Sequence, residues 1–143
     1  MKKLLALVML FVCATTLAKP VQPRTISILF DTDLWNQNML LKDLNDNGQS
    51  KNVNFTAAAL GEPFDYKIAY DNSIKPVQSA YGEMTLHATS VTCSDPTGQV
   101  LFTFTREARW TEKGAANAAS EEIIKRILAL EKAPAVSNDK RIP

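Results

Sequence analysis

The chain has one histidine, His87, and two cysteines, Cys13 and Cys93. A serine or cysteine triad needs a histidine beside its nucleophile, and zinc sites take three or four nitrogen, sulfur or carboxylate ligands. His87 and Cys93 share the odd-numbered side of one strand pattern, but the extended chain between them spans about 20 Å, which rules out a dyad. Carboxylate pairs could be drawn from Asp31, Asp33 and Glu62, yet no spacing holds two of them across one scissile bond. The five glycines form no phosphate cradle. These absences point away from an enzyme, and no cofactor is implied.

Asp43-Leu44-Asn45-Asp46-Asn47-Gly48 echoes a calcium loop, with Asp43, Asn45, Asn47 and Gly48 in register. The position that should carry a bidentate glutamate is Asn54, which removes two oxygens and a charge. The simpler expectation is a polar loop that ends a helix, with Gly48 as its left-handed terminator and no metal bound.

Other side chains are candidates for binding. Phe64, Tyr66, Ile68 and Tyr70 alternate with Asp65, Lys67, Ala69 and Asp71, giving a strand with one aromatic face. That face is expected to be core; left open, it would be an aromatic platform. Arg106 falls on an apolar strand face between Phe104 and Ala108. It is either a stem snorkelling to the edge or a cation awaiting an anionic ligand or a carboxylate. Trp35 and Met39 project away from the Leu34, Leu40, Leu41 and Leu44 stripe of a helix that Asp31-Thr32-Asp33 would cap. Burial on two sides is the expectation for that helix, with exposure of Trp35 and Met39 to a partner as the alternative. Tyr81 lies in a segment, 72–82, that reads as a loop.

The elements that must position these residues are most legible from Glu83 to Leu130. Met84, Leu86 and Ala88 alternate with Thr85, His87 and Thr89 before Asp95-Pro96-Thr97-Gly98. After that turn, Val100, Phe102, Phe104, Ala108 and Trp110 face one way. Proline and glycine at those positions make a turn, so the two runs form a hairpin, with Cys93 on the less apolar side of its first strand. Ala116, Ala119, Ile123, Ile127 and Leu130 then form a helical stripe, with Thr111 or Ser120 as cap and Pro134 as stop. Strands are also expected over 25–30, 52–60 and 64–71. The sum is an α+β fold of order β-α-β-β-β-β-α. It predicts one antiparallel sheet of about five strands with two helices packed mainly on one face.

Lys2, Lys3, the apolar run Leu4–Val12 and Thr16-Leu17-Ala18 make residues 1–18 an expected signal peptide. Residues 19–24 follow as an extended leader, 25–133 as a single domain and 134–143 as a disordered tail. Acylation at Cys13 is the alternative, which would make an outer-membrane lipoprotein; Phe11 and Val12 lack the small residue such processing wants. Otherwise the destination is the periplasm or the medium. The net charge of +1 disfavours nucleic acid, and the mature chain has no second run long enough to span a membrane. The expected role is a non-enzymatic accessory protein that binds another envelope or secreted protein, or further copies of itself. The alternative is a small-ligand binder using the aromatic sheet face with Arg106 as anion contact; a secreted enzyme or inhibitor is the weaker third.

Overall fold

The computed structural model describes residues 21–133. The expected signal peptide with Cys13, the first two leader residues and the tail over 134–143 lie outside the described residues. Strand β1 (Arg24–Asp31) leads into helix α1 (Leu34–Gly48) and a 3-10 turn (Gln49–Lys51). Then come β2 (Val53–Ala57), β3 (Tyr66–Ser79), β4 (Gly82–Ser94), β5 (Val100–Arg109) and helix α2 (Glu112–Lys132). The α+β class and the order of elements match the expectation from sequence.

The five strands form one sheet in the order β2-β1-β3-β4-β5. It is mixed rather than wholly antiparallel: β1 pairs in parallel with both β2 and β3, while β3–β4 and β4–β5 are antiparallel. The physical reason lies in α1. Its 15 residues run about 22 Å, enough to return the chain to the start of β1, so β2 must run alongside it. β2 then accompanies the lower half of β1 (Arg24↔Val53 to Ile28↔Ala57), and β3 joins its other side from Ile28↔Tyr66. The link between them passes β1 where Asp65 accepts from the Ser27 amide at 2.8 Å.

The segment 72–82 is not a loop. β3 continues to Ser79, Ala80 and Tyr81 make the turn, and β4 starts at Gly82 with φ +112. β3 and β4 pair without interruption from Lys67↔Ser94 to Ser79↔Gly82. β1 accompanies β3 only to Ala69, and β5 accompanies β4 only as far as His87↔Arg109. Beyond those points the pair is a free two-stranded arm. Along its β3 strand most side chains from Asn72 to Ser79 meet solvent on both faces, so no apolar alternation marks that half, and Pro76 is tolerated because β3 is an edge strand there.

Both helices cover one face of the sheet. Ile26, Ile28, Val53, Phe55, Ile68, Tyr70, Val91 and Cys93 meet Leu40, Leu44, Ala116, Ala119, Ile123, Ile124 and Ile127 in one buried core. Cys93 therefore lies on the core side, contrary to the reading that put it on the less apolar face. The unbroken pairing with β3 keeps the odd residues Thr89, Val91 and Cys93 under the helices, and leaves Met84 and Leu86 on the open side of the arm. The extra residues in β5, where its register with β4 shifts, leave Val100 exposed.

Candidate functional site

α1 starts on Asp33, whose carboxylate accepts from the Asn36 amide at 2.9 Å; α2 starts on Thr111, whose hydroxyl accepts from the Gly114 amide at 3.0 Å. Ser120, the other cap candidate, is buried within α2. The helices are locked together by Asn47, which donates to Asn117 at 3.0 Å and to Ser120 at 2.7 Å. Asn45 ties α1 to β2: it donates to the Phe55 carbonyl at 3.0 Å and accepts from the Phe55 amide at 2.8 Å. The calcium echo thus lies within α1 rather than in a loop, and its asparagines hold tertiary contacts. Gly48 is right-handed helix (φ −71), not a left-handed terminator; that conformation falls to Asn52 (φ 58). Among the described residues, no three histidine, cysteine or acidic side chains converge as metal ligands.

Capping and locking fix a groove of about 480 Å³ between the first half of α1 and the start of α2. Trp35, Asn38, Met39, Lys42 and Asp43 line it from α1, at the spacing that shares one helix face, and Glu112 and Lys113 from α2. Trp35 is 69% exposed and Met39 half-buried, so α1 is not buried on two sides. Asp43 is different. It is only 5% exposed, and its Oδ2 is buried without a hydrogen-bond partner. Burial raises its pKa above the ordinary 3.8, opposed first by the charge of Lys42.

The sheet carries further unmatched polar atoms, and the Tyr70 hydroxyl among them feels the Asp43 charge. The Tyr70 hydroxyl, Thr89 Oγ1, Asn72 Oδ1 and His87 Nδ1 are all buried without partners. The register places these four side chains on one face of the β3–β4 pair, the face under the helices. Burial, with help from the Glu112 and Asp43 charges, pushes the Tyr70 hydroxyl above the usual phenol range. His87 is half-buried.

The remaining candidates are scattered. Phe64 and Tyr66 are half-buried; Tyr66 packs against the core near Arg24 and Glu131, whose ion pair ties β1 to the end of α2. Arg106 has found a carboxylate: it donates to Glu122 at 2.7 Å, and Arg126 reaches the same carboxylate at 2.7 Å while lying over Phe104 and Phe102. Arg126, foremost, and Arg106 pull the Glu122 pKa down. Tyr81 is 98% exposed at the tip of the arm. Asp31 is paired with Lys67, Asp33 caps α1, and Glu62 accepts from the Ala59 amide. No carboxylate pair is assembled from these three.

Asp43 as a buried carboxylate, and Glu122 as the partner of Arg106, were missed in the sequence. The signals that could have found them are spacings: Asp43 stands four residues after Met39, beside core Leu44, and Glu122 stands four before Arg126.

The groove and the arm lie at the same end of the sheet. β1 enters α1 there through Asp31, and β5 enters α2 there through Trp110. Large apolar side chains stand exposed at that end: Leu34, Trp35, Ile74, Tyr81 and Trp110.

No protein-family model matches the chain, and no curated protein is significantly similar to it. Among solved structures, the PelC dodecamer from Paraburkholderia phytofirmans is similar at a TM-score of 0.43 and 12% identity, over 73% of this chain and 86% of that one. A likeness this remote assigns neither family nor function.

Proposed function

We propose that the chain is exported to the periplasm or the medium and serves there as a non-enzymatic interaction protein. Its protein–protein surface is the end of the sheet that carries the arm. The observation that supports this reading is the gathering of exposed large apolar groups there, with Trp35 69%, Ile74 65%, Trp110 65% and Tyr81 98% exposed. Several large apolar side chains exposed at one end of a domain offer a partner area to cover. The arm adds a row of unpaired backbone groups along each edge, ready to extend a partner's sheet. Another envelope or secreted protein, or a second copy of this chain, would fit such a surface.

Export rests on the basic and apolar character of residues 2–12 and the small residues before Lys19. No helix among the described residues is long and apolar enough to cross a membrane. A ligand site on the Phe64, Tyr66 and Tyr70 face draws less support, because Tyr70 is part of the core under the helices and Tyr66 packs against it.

The test is a tagged chain in its native host, compared with the Ile74→Ser/Tyr81→Ser double variant. Both substituted side chains are exposed, so the variant is expected to melt at the same temperature and to lose a stoichiometric partner recovered from the envelope or secreted fraction. Recovery of the same partner by both chains, or multiple turnover of a substrate by the purified protein, would contradict the reading.

A further inference from the structure

The groove between α1 and α2 carries a feature that the arm does not explain. Buried carboxylates in folded proteins are paired or hydrogen-bonded, because an isolated one is expensive to desolvate. Asp43 is nine-tenths buried, lines the groove, and has no partner for Oδ2. The positive groups nearby do not relieve it. Lys42 is engaged with Asp46, and Lys113 is exposed at the rim, where it is the weakest of the charges acting on Asp43. Burial, helped by the negative charge of Asp46, outweighs both, since the net effect is to raise the Asp43 pKa. The Tyr70 hydroxyl and Thr89 Oγ1, in the core, also lack partners.

We infer that this groove binds an organic cation, an alkylammonium or alkylguanidinium head, with Asp43 as its counter-ion and Trp35 and Met39 as apolar walls around its stem. Three alternatives decide the sign of the ligand. An anion would meet the carboxylates of Asp43 and Glu112. A neutral apolar ligand would leave Asp43 buried and unpaired. A cation brings the counter-charge that the Asp43 carboxylate at the groove wall lacks, and that charge is attracted to the face of an indole. The head comes from a basic side chain of a polypeptide or from a free small amine, and both bring the same chemistry. The site does not depend on the arm.

Trp35 reports on the groove directly once Trp110→Phe leaves it as the sole tryptophan, since the chain has two. Titration of that chain with n-butylguanidinium and n-butylammonium is expected to give a saturable change in Trp35 fluorescence. n-Butanol, the neutral control, is expected to bind at least about tenfold more weakly, a difference of about 1.4 kcal/mol. Asp43→Asn is expected to weaken the cations by at least about tenfold while leaving the melting temperature unchanged or higher. Equal binding of n-butanol, or undiminished binding by Asp43→Asn, overturns the inference.

Should Asp43→Asn lower the melting temperature, amide shift mapping of the unsubstituted chain decides. Cation-induced shifts centred on Met39, Asp43 and Lys113 support the site; shifts elsewhere, or none, overturn it. A Gly-Gly-Arg-Gly-Gly peptide that binds tighter than n-butylguanidinium assigns the head to a polypeptide, and the reverse order assigns it to a free amine. The Ile74→Ser/Tyr81→Ser variant is expected to bind the cations unchanged, so failure of the arm surface and failure of this site read out separately.

Discussion

At the scale of single residues, Asp43 and Cys93 show how burial sets chemistry. Burial raises the Asp43 pKa above 3.8, so the folded chain holds that proton more tightly than the unfolded chain does. The ionised group is then a liability that is absent well below pH 3.8, grows as pH rises, and is complete above the folded pKa. Asp43→Asn is expected to stabilise the ligand-free protein by about 1–2 kcal/mol at pH 7, with a smaller gain at pH 4. Denaturant melts at the two pH values measure it; a destabilised variant, or a gain that does not shrink at pH 4, would count against an unpaired carboxylate. Cys93 sits fully buried with its thiol pushed up to about 12. It is expected to resist a thiol reagent in native buffer and to react stoichiometrically in denaturant. Rapid labelling of the native protein would show that β4 opens locally.

At the scale of elements, Gly48 shows the same dependence on context. A Cβ there would stand 2.5 Å from the Val53 carbonyl oxygen and 3.1 Å from the Phe55 ring, so the end of α1 and the start of β2 can meet only at a glycine. Gly48→Ala is expected to cost about 1–3 kcal/mol in a thermal or denaturant melt, and a neutral result would mean that this junction yields easily. The β4–β5 hairpin, α2 and the three short strands were legible from sequence, because alternation and helical spacing record one-sided burial. Strand direction was not legible. Alternation is blind to whether a neighbour runs parallel, and α1 decided that by carrying the chain back. The arm over 72–82 escaped for the opposite reason, since a strand exposed on both faces has no pattern to betray it. Asp43, Asn45 and Asn47 looked like a loop because their types favour turns. In the fold, Asn45 and Asn47 satisfy the backbone of β2 and the side chains of α2, which keeps α1 helical through Gly48.

At the scale of the whole molecule, the architecture separates two ends. At one, Arg24 and Glu131 join the start of the sheet to the end of α2. At the other, both helices begin, the arm leaves the body, and exposed tryptophans and Tyr81 gather. Amides in the arm beyond Ile74↔His87, with no strand on either side, are expected to exchange with solvent faster than those of β1. Binding of a partner would slow them. The most direct measurement is photo-crosslinking in the native host, with a photoreactive residue replacing Tyr81 in one chain and Lys51, at the opposite end, in another. A discrete crosslinked protein is expected from position 81 and none from position 51. Silence at position 81, or the same products from both positions, would contradict an interaction surface at the end that carries the arm.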